Sequence, residues 1–202
     1  SKPLVKRRNR IPITERLAPP TGEIDTPMSE DEVRAAAELF KKRGLNAVIV
    51  GFLFSFLNDT HEKRAVEIIK EVMPDAFVCA SSEVVNVIRE YERFSSTAMN
   101  AYIGPKTALY LRSLESRLKK NNITAAVRIM QSNGGISTVD QSASRPIGLL
   151  LSGPAGGVIG GRWTGGHSNT SNVITIDIGG TSADISVIQD GHLRTKNPRD
   201  SE

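Results

Sequence analysis

A glycine turn between two apolar strands is the feature of this sequence that most restricts its fold. Residues 173–176 (Val-Ile-Thr-Ile) predict a strand that ends at Asp177, and Gly179 and Gly180 follow directly. A returning strand is predicted over 183–188. Because glycines allow backbone torsions that other residues avoid, such a turn can expose several amides on one side. Exposed amides form an anion site, and an adjacent carboxylate can hold a hydrated Mg²⁺ ion.

The order of strand, turn and strand separates this loop from two common phosphate-binding motifs. A Walker loop needs Gly-x-x-x-x-Gly-Lys-Ser/Thr ahead of a helix, and the sequence has no such string. The dinucleotide fingerprint also opens a helix, whereas this turn opens a strand. A plain β-hairpin is the alternative interpretation. The carboxylates of Asp177 and Asp184, which flank the turn, favour a binding site because a simple hairpin does not require them.

A second glycine-rich segment predicts a helix that carries a row of glycines, and therefore no side chains, along one face. Ser152 is a suitable N-cap, and Pro154 suits the first helical turn. Three glycines recur at every fourth position and two lie beside them: Gly153, Gly157 and Gly161, with Gly156 and Gly160. Each glycine inside a helix costs about 1 kcal/mol relative to alanine. The row therefore indicates close approach of a backbone or ligand, which could be another helix, the sheet or a nucleotide.

The preceding residues predict alternating strands and helices. The apolar runs 47–54, 76–80 and 125–130 are typical of strands buried on both faces. A helix is predicted after Ser29, with Glu32 completing a capping box and Gly44 ending the helix. This alternation predicts an α/β layer.

Two further helices complete the pattern. One is predicted to begin at 58–59 and to end before Pro74, and a longer one covers 97–120, with a break allowed near Gly104 and Pro105.

The loop 131–135 follows a strand, which is where open α/β sheets bind ligands, although an ordinary turn explains it equally well. The acidic and basic residues at 90–93 fit either a solvated helix face or a salt-bridged joint.

Composition excludes several classes of protein. The hydrophobic fraction of 39% and the charged fraction of 24% are those of a globular domain, and the longest apolar stretch, 47–57, is too short to span a membrane. Aromatic residues make up only 5% and the net charge is +4, so we expect no nucleic-acid partner, despite the basic residues near the start of the chain. We expect a cytoplasmic protein.

Histidine and cysteine offer little material for catalysis or metal binding. The single cysteine, Cys79, lies in an apolar run and excludes an internal disulfide, so we expect an inert, buried thiol. His61, His167 and His192 are far apart in sequence and lack metal-ligand spacing, so we predict neither a metal nor a general-base role for them.

Taken in order, the motifs resemble the hydantoinase/oxoprolinase family. Four segments carry the resemblance, and one of them is the turn Asp177–Ser182. The other three are Arg-Glu-Tyr-Glu-Arg at 89–93 leading into Asn-Ala-Tyr at 100–102, Met-Gln-Ser-Asn-Gly-Gly at 130–135, and Leu-Ser-Gly-Pro-Ala-Gly-Gly at 151–157. The resemblance covers about residues 7–202. The family includes N-methylhydantoinase, 5-oxoprolinase and related acetone carboxylase subunits.

The resemblance implies a fold and a set of site residues. The fold would be part of an actin-like, sugar-kinase-like (ribonuclease H-like) ATPase that holds ATP and Mg²⁺ between two lobes with two phosphate hairpins. Residues 1–95 would end the family's N-terminal region, and 96–202 would begin the main domain, with the second hairpin at 173–188. Asp177 and Asp184 would be the catalytic carboxylates, and Asp177 the metal ligand. The expected nucleotide contacts are Gly179, Gly180, Thr181, Ser182, Gly153, Gly156 and Gly157.

The same resemblance implies a reaction for the full-length protein. It would open a hydantoin or 5-oxoproline ring by phosphorylating the amide, with a cyclic amide as substrate and a hydantoinase B-type subunit as a partner. Two alternatives stand beside it: a subunit of an ATP-dependent ketone carboxylase, and a non-enzymatic actin-like or chaperone-like nucleotide-binding module.

The sequence also departs from the family pattern. Ala183 stands where the family usually has a second threonine, which removes one hydroxyl. Neither the first phosphate hairpin nor most of the second lobe is found in this sequence. The chain begins with Ser1 and ends just after a hairpin-like segment, so we expect a fragment of a longer protein with little or no activity alone.

Overall fold

A computed structural model describes residues 3–180 and 182–193 of the chain. The chain divides into two compact units, one formed by Ser1–Thr124 with Ala143–Ile147 and the other by Ala125–Ser142 with Gly148–Glu202. Within the described residues, no helix combines the length and hydropathy needed to cross a bilayer.

The first unit is a small layered α/β structure. Its elements, after a 3-10 turn at Arg7–Asn9, are β1 (Arg16–Ala18), β2 (Glu23–Thr26), α1 (Glu30–Lys42), β3 (Ala47–Val50), α2 (Thr60–Val72), β4 (Phe77–Ala80), α3 (Ser81–Val84) and α4 (Glu90–Lys120). Strands β1 and β2 form an antiparallel hairpin, while β3 and β4 are parallel. The predicted strand–helix–strand order is confirmed.

Side chains of the parallel pair alternate between two cores. Val48 and Val50 pack with α1 and α2, whose buried residues include Phe40 and Ile68. Residues on the other face, such as Cys79, pack with α3 and α4. Because successive side chains of a strand point to opposite faces, this sheet needs helices on both sides, as its continuous apolar runs predict.

The start of α1 confirms half of the predicted capping box. The Ser29 hydroxyl accepts a hydrogen bond from the Glu32 amide at 3.4 Å. The Glu32 carboxylate does not return to Ser29 and instead accepts from the Thr14 amide at 2.6 Å and the Thr14 hydroxyl at 3.0 Å. At the other end, Gly44 has φ +66°, a torsion that favours glycine, as predicted for the residue after the helix.

Several predicted boundaries are wrong. Strand β3 ends at Val50, and residues 51–59 form a loop ahead of α2. Helix α4 starts at Glu90, earlier than predicted, and runs through Gly104 and Pro105 without a break. Gly104 has a packing reason, because a Cβ there would lie 2.5 Å from the Phe77 ring. Of the predicted strand 125–130, only Ile129–Met130 is extended.

The described residues after α4 form a short hairpin, a three-stranded sheet and two α-helices. Its elements are β5 (Ile129–Met130), β6 (Ile136–Ser137), α5 (Val139–Ser144), a 3-10 turn (Pro146–Leu149), α6 (Ser152–His167), β7 (Val173–Ile178), β8 (Ala183–Gln189) and β9 (His192–Leu193). Strands β5 and β6 pair antiparallel, and β7, β8 and β9 form an antiparallel sheet in that order.

Candidate functional site

The β7–β8 hairpin places two carboxylates at the base of a closed turn. Asp177 on β7 pairs directly with Asp184 on β8. Beyond them, the Gly179 amide donates a hydrogen bond of 2.9 Å to the Ser182 carbonyl, which closes the loop. Both predicted strands are confirmed. Thr181, predicted to contact nucleotide, lies outside the described residues.

The torsional role predicted for the two turn glycines is wrong. Neither Gly179 nor Gly180 has φ in the left-handed region that excludes other residues. What the glycines provide is open space. Among the described residues, and apart from chain neighbours, a Cβ on Gly180 would meet no atom within 4 Å and one on Gly179 would meet only the Ser182 carbonyl oxygen at 3.7 Å. The end of the hairpin is therefore accessible to a ligand.

The two facing carboxylates fit a hydrated divalent cation. Like charges directly opposite each other on antiparallel strands are destabilising. Asp177 and Asp184 are both exposed, and within residues 3–180 and 182–193 neither forms an ion pair. Mg²⁺ binds in proteins through one or two carboxylates while it keeps several waters and contacts phosphate oxygens. Such an ion would relieve the repulsion between the two side chains and add positive charge beside the turn.

Helix α6 lies along the same face of β7 that carries Asp177. A Cβ on Gly157 would lie 3.8 Å from the Asp177 Oδ2 atom. A Cβ on Gly161 would clash with the Thr175 side chain, and one on Gly165 would lie 2.7 Å from the Val173 Cγ2 atom. Every fourth residue of the helix thus meets every second residue of the strand, in antiparallel order.

The four-residue spacing on the helix matches the two-residue spacing on the strand because the two distances are nearly equal. Four helical residues rise about 6.0 Å and two strand residues about 6.6 Å, so the two rows stay in step. Close packing on the sheet therefore explains Gly161 and Gly165 fully.

The first turn of α6 is also open. The helix begins at Ser152, and the cap residue is Leu151 with φ +62°, so the prediction that Ser152 caps the helix is wrong by one position. A Cβ on Gly153 would meet nothing within 4 Å. The amides of a helical first turn have no intrahelical acceptor and attract anions.

The loop 131–135 proves to be the turn of the β5–β6 hairpin. The Gln131 amide donates to the Gly135 carbonyl at 2.8 Å, and the Gly135 amide donates to the Asn133 side chain at 2.9 Å. Gly134, with φ +81°, packs against Ile159 of α6, and Gly156 of α6 faces Met130. The loop supports the helix. The amides of Gln131, Gly134 and Gly135 are used within the turn, and that of Ser132 donates to the Gly148 carbonyl at 2.7 Å.

The cysteine and the histidines take structural positions. Cys79 is buried, as predicted, and burial raises the pKa of its thiol to about 11. His61 is also buried, and its Nδ1 atom lies 3.0 Å from the Glu15 carboxylate. In the part of the chain that the structure describes, no three His, Cys, Asp or Glu side chains are grouped as metal ligands.

Sequence reasoning missed a buried polar cluster in the first unit. Glu62 and Arg93 are both 0% exposed and both bond to Ser81. The Ser81 hydroxyl donates to Glu62 Oε1 at 2.7 Å and accepts from Arg93 Nε at 3.0 Å. The sequence did contain a sign that Glu62 is buried, because helical spacing places it on the same face as the apolar residues Ala65 and Ile69.

Comparison with known proteins identifies the family. The hydantoinase/oxoprolinase sequence profile matches residues 93–200, and the profile of the hydantoinase/oxoprolinase N-terminal region matches residues 1–73. The chain is 35% identical over 199 residues to caprolactamase subunit alpha of Pseudomonas jessenii, covering 98% of this chain and 28% of that protein. It is 34% identical over 165 residues to 5-oxoprolinase of Saccharomyces cerevisiae, covering 81% of this chain and 12% of that enzyme.

Solved structures agree with the sequence comparisons. The crystal structure of the ATP-dependent caprolactamase of Pseudomonas jessenii superposes with a TM-score of 0.83 at 34% identity, over 93% of this chain and 27% of that one. A nucleotide-free acetone carboxylase structure gives a TM-score of 0.76 at 27% identity, over 89% of this chain and 25% of that one. The chain spans about a quarter of each of these two structures. With its α/β fold and both family profiles matched in order, the chain belongs to the hydantoinase/oxoprolinase family.

Proposed function

We propose that this chain supplies the second phosphate hairpin of an ATP-dependent enzyme that opens a cyclic amide. The observation that carries the proposal is the open Gly179–Gly180 turn directly beyond the facing carboxylates of Asp177 and Asp184. The first turn of α6, which is open at Gly153, is a third feature of the same unit. Together they offer backbone donors for phosphate oxygens beside ligands for Mg²⁺.

The residues divide into two roles in this proposal. Asp177 holds a water-bound Mg²⁺, and Asp184 lies across the strand pair from it as a second carboxylate. The amides of Gly179, Gly180, Thr181 and Ser182 contact phosphate oxygens. The α6 glycines act differently, since Gly153 leaves room for a phosphate, while Gly156 and Gly157 allow the helix to approach Met130 and Asp177. Phosphoryl transfer needs mainly positioning and charge stabilisation, which such a site provides without a protein nucleophile.

The chemistry follows from the poor reactivity of an amide. When the amide oxygen takes the γ-phosphoryl group, the bond from phosphorus to the ADP oxygen breaks and the ring carbon becomes more electrophilic. Water adds to that carbon, and the ring carbon–nitrogen bond breaks to leave an acyl phosphate and a free amine. A second water then hydrolyses the acyl phosphate to the carboxylate and inorganic phosphate. Overall, cyclic amide, ATP and two waters give the open amino acid, ADP and phosphate. Mg²⁺ would neutralise the charge that develops on the phosphate oxygens.

The relatives support an amide substrate and a second subunit. Two of them are a caprolactamase subunit and a 5-oxoprolinase, whose names denote cyclic amides. The former is an alpha subunit, and we propose that the full-length protein here also works with a hydantoinase B-type partner in the cytoplasm. We further propose that residues 1–95 and 96–202 belong to the family's N-terminal region and main domain, and that these residues alone are inactive.

A ketone carboxylase is the second candidate. It is favoured by the TM-score of 0.76 to an acetone carboxylase, whose carboxylation of acetone is ATP-dependent. Both candidates use the same hairpin and differ in the acceptor of the phosphoryl group. A non-enzymatic nucleotide switch finds no counterpart among these enzyme relatives.

The test compares Asp177→Asn with Asp190→Asn in the full-length protein. Both are exposed aspartates of the same sheet region, and Asp190 has φ +52°, a torsion that asparagine adopts readily. ATP turnover is measured with 5-oxoproline, caprolactam or hydantoin, and with acetone plus bicarbonate. We expect Asp177→Asn to lower turnover by at least about a hundredfold, as for loss of one transition-state contact, and Asp190→Asn to retain it. Near-normal turnover of Asp177→Asn rejects the site, and the active substrate decides between hydrolase and carboxylase.

A further inference from the structure

A polar cleft opens in the first unit at the carboxyl ends of the two parallel strands. It has a volume of about 350 Å³, and its lining residues include Thr21, Ser55, Phe56, Asp59 and Asn86. Open α/β sheets bind ligands outside the carboxyl ends of their strands. Loop 51–59, which follows β3, forms most of the lining.

Loop 51–59 is held from both sides by buried charges. Glu62 Oε1 accepts a hydrogen bond of 2.8 Å from the Phe52 amide, and Arg93 Nη2 donates one of 2.7 Å to the Phe52 carbonyl. Glu62 Oε2 also accepts from the amide of Ser82 at 2.8 Å and from its hydroxyl at 2.7 Å. One residue of the loop therefore has both of its backbone polar groups fixed by fully buried ions, one from each of two helices.

Stability alone does not explain why Glu62 and Arg93 are buried together. Removing two charges from water costs several kcal/mol per ion, and apolar residues of similar volume often serve as well. The loop also holds Phe54 at φ +60°, a torsion that a bulky residue rarely adopts. Strained residues that surrounding structure keeps in place concentrate at ligand sites.

The fixed loop presents unused hydrogen-bond donors. Among the described residues, the amides of Leu53, Ser55 and Phe56 have no backbone acceptor. Two of these residues, Ser55 and Phe56, line the cleft. The first turn of α2 begins directly after Asp59, so its amides add positive potential at the same end of the sheet. These groups suit a carbonyl oxygen.

The lining of the cleft also offers acceptors. Asp59 is partly exposed, with a carboxylate oxygen 2.8 Å from Lys63 Nζ, and Asn86 is exposed and carries an amide oxygen. A ligand that matches both the donors and the acceptors carries a carbonyl oxygen and an N–H group, which is the pattern of an amide that retains an N–H.

We propose that this cleft binds the amide group of the cyclic substrate, with loop amides on the carbonyl oxygen and Asp59 and Asn86 on the N–H side. The inference rests on the proposed function, since it locates the substrate of that reaction. Glu62 and Arg93 are positioning residues that act by holding Phe52.

The experiment uses the full-length protein with ε-caprolactam and 5-oxoproline as probes. The cleft variants are Asn86→Ala and Asp59→Asn, and their controls are Asn121→Ala and Asp75→Asn, which change exposed residues outside the cleft lining. Loss of one hydrogen bond to a charged or polar partner predicts a KM for the amide that is raised about tenfold or more. The KM for ATP should stay unchanged in all four variants, and the controls should match the unmodified protein.

The outcomes separate this inference from the proposed function. If the unmodified protein opens an amide and both cleft variants keep the KM of their controls, the cleft assignment is overturned while the hairpin proposal stands. If the unmodified protein opens none of caprolactam, 5-oxoproline and hydantoin, and none of them changes its ATP hydrolysis, the proposed function fails and the cleft assignment fails with it. If the cleft variants raise the KM for ATP as much as that for the amide, the cleft is not an amide site.

Discussion

Gly161 of α6 lies against Thr175 of β7 so closely that no methyl group fits between them. Gly161→Ala should therefore destabilise the unit by about 1–3 kcal/mol through overpacking, less the helix-propensity gain of about 1 kcal/mol. Gly160→Ala is the matched control, since a Cβ there meets nothing within 4 Å. We expect thermal unfolding to shift down for Gly161→Ala and slightly up for Gly160→Ala. Equal shifts would show that the glycine row is not a packing surface.

The buried carboxylate of Glu62 and the exposed one of Glu71 make a second matched pair on α2. Glu62 is 0% exposed, and its loss removes the acceptor of the Phe52 and Ser82 amides and of the Ser81 and Ser82 hydroxyls seen in the structure. Glu62→Ala should lower the free energy of unfolding by about 3–5 kcal/mol. Glu71→Ala breaks a half-exposed ion pair with Arg34 and should cost less than about 1 kcal/mol. Urea denaturation measures both, and similar losses would contradict the structural role of the cluster.

The buried thiol of Cys79 should make the free energy of unfolding fall at alkaline pH. Burial raises the pKa of its thiol to about 11, while its hydrogen bond with Asn100 acts in the opposite direction. The unfolded thiol titrates near 8.5. The stabilisation is therefore complete below about pH 8.5 and is lost as the pH rises towards 11.

Cys79→Ala removes that titration. Melting temperatures measured from pH 8 to pH 11 should fall more steeply for the unmodified protein than for Cys79→Ala. The native thiol should also resist alkylation at pH 8 until the protein is unfolded. Parallel pH profiles for the two proteins would show that the thiol is not perturbed by burial.

The facing carboxylates should make the hairpin respond to Mg²⁺. Without metal, Asp184→Asn removes a like-charge pair across the strands and should stabilise the protein by about 0.2–1 kcal/mol. With millimolar Mg²⁺, the unmodified protein should gain melting temperature, while Asp184→Asn gains less, because a ligand that binds only the folded state stabilises it. Thermal melts with and without Mg²⁺, with Ca²⁺ as the comparison ion, measure this. Identical Mg²⁺ responses would remove Asp184 from the site.

The elements predicted correctly are those that depend on residues close together in the sequence. Ser29, Gly44 and the β7–β8 hairpin follow from capping, φ preference and alternation, and each lies where those rules place it. The early start of α4 was missed because the charged stretch 90–93 fits a solvated helix face and a salt-bridged joint equally well. There Arg93 is fully buried, a consequence of tertiary contacts with Ser81 and Phe52 that no local pattern encodes.

The candidate site was only partly predictable. The residues around Asp177 were found because glycines and carboxylates alternate there in a recognisable order. The cleft beside loop 51–59 was not, because the apolar run 47–54 predicted one continuous strand, whereas the chain leaves the sheet after Val50. The departure depends on Glu62 and Arg93, which are distant in sequence. The reason for the α6 glycines likewise became clear only from their register with β7.

A structure of the full-length protein with a non-hydrolysable ATP analogue and Mg²⁺ tests the account most directly. We expect phosphate oxygens within about 3 Å of the amides at Gly179 and Gly180, with Asp177 bound to Mg²⁺ directly or through water. Phosphates bound elsewhere, with the end of this hairpin facing solvent, would contradict it.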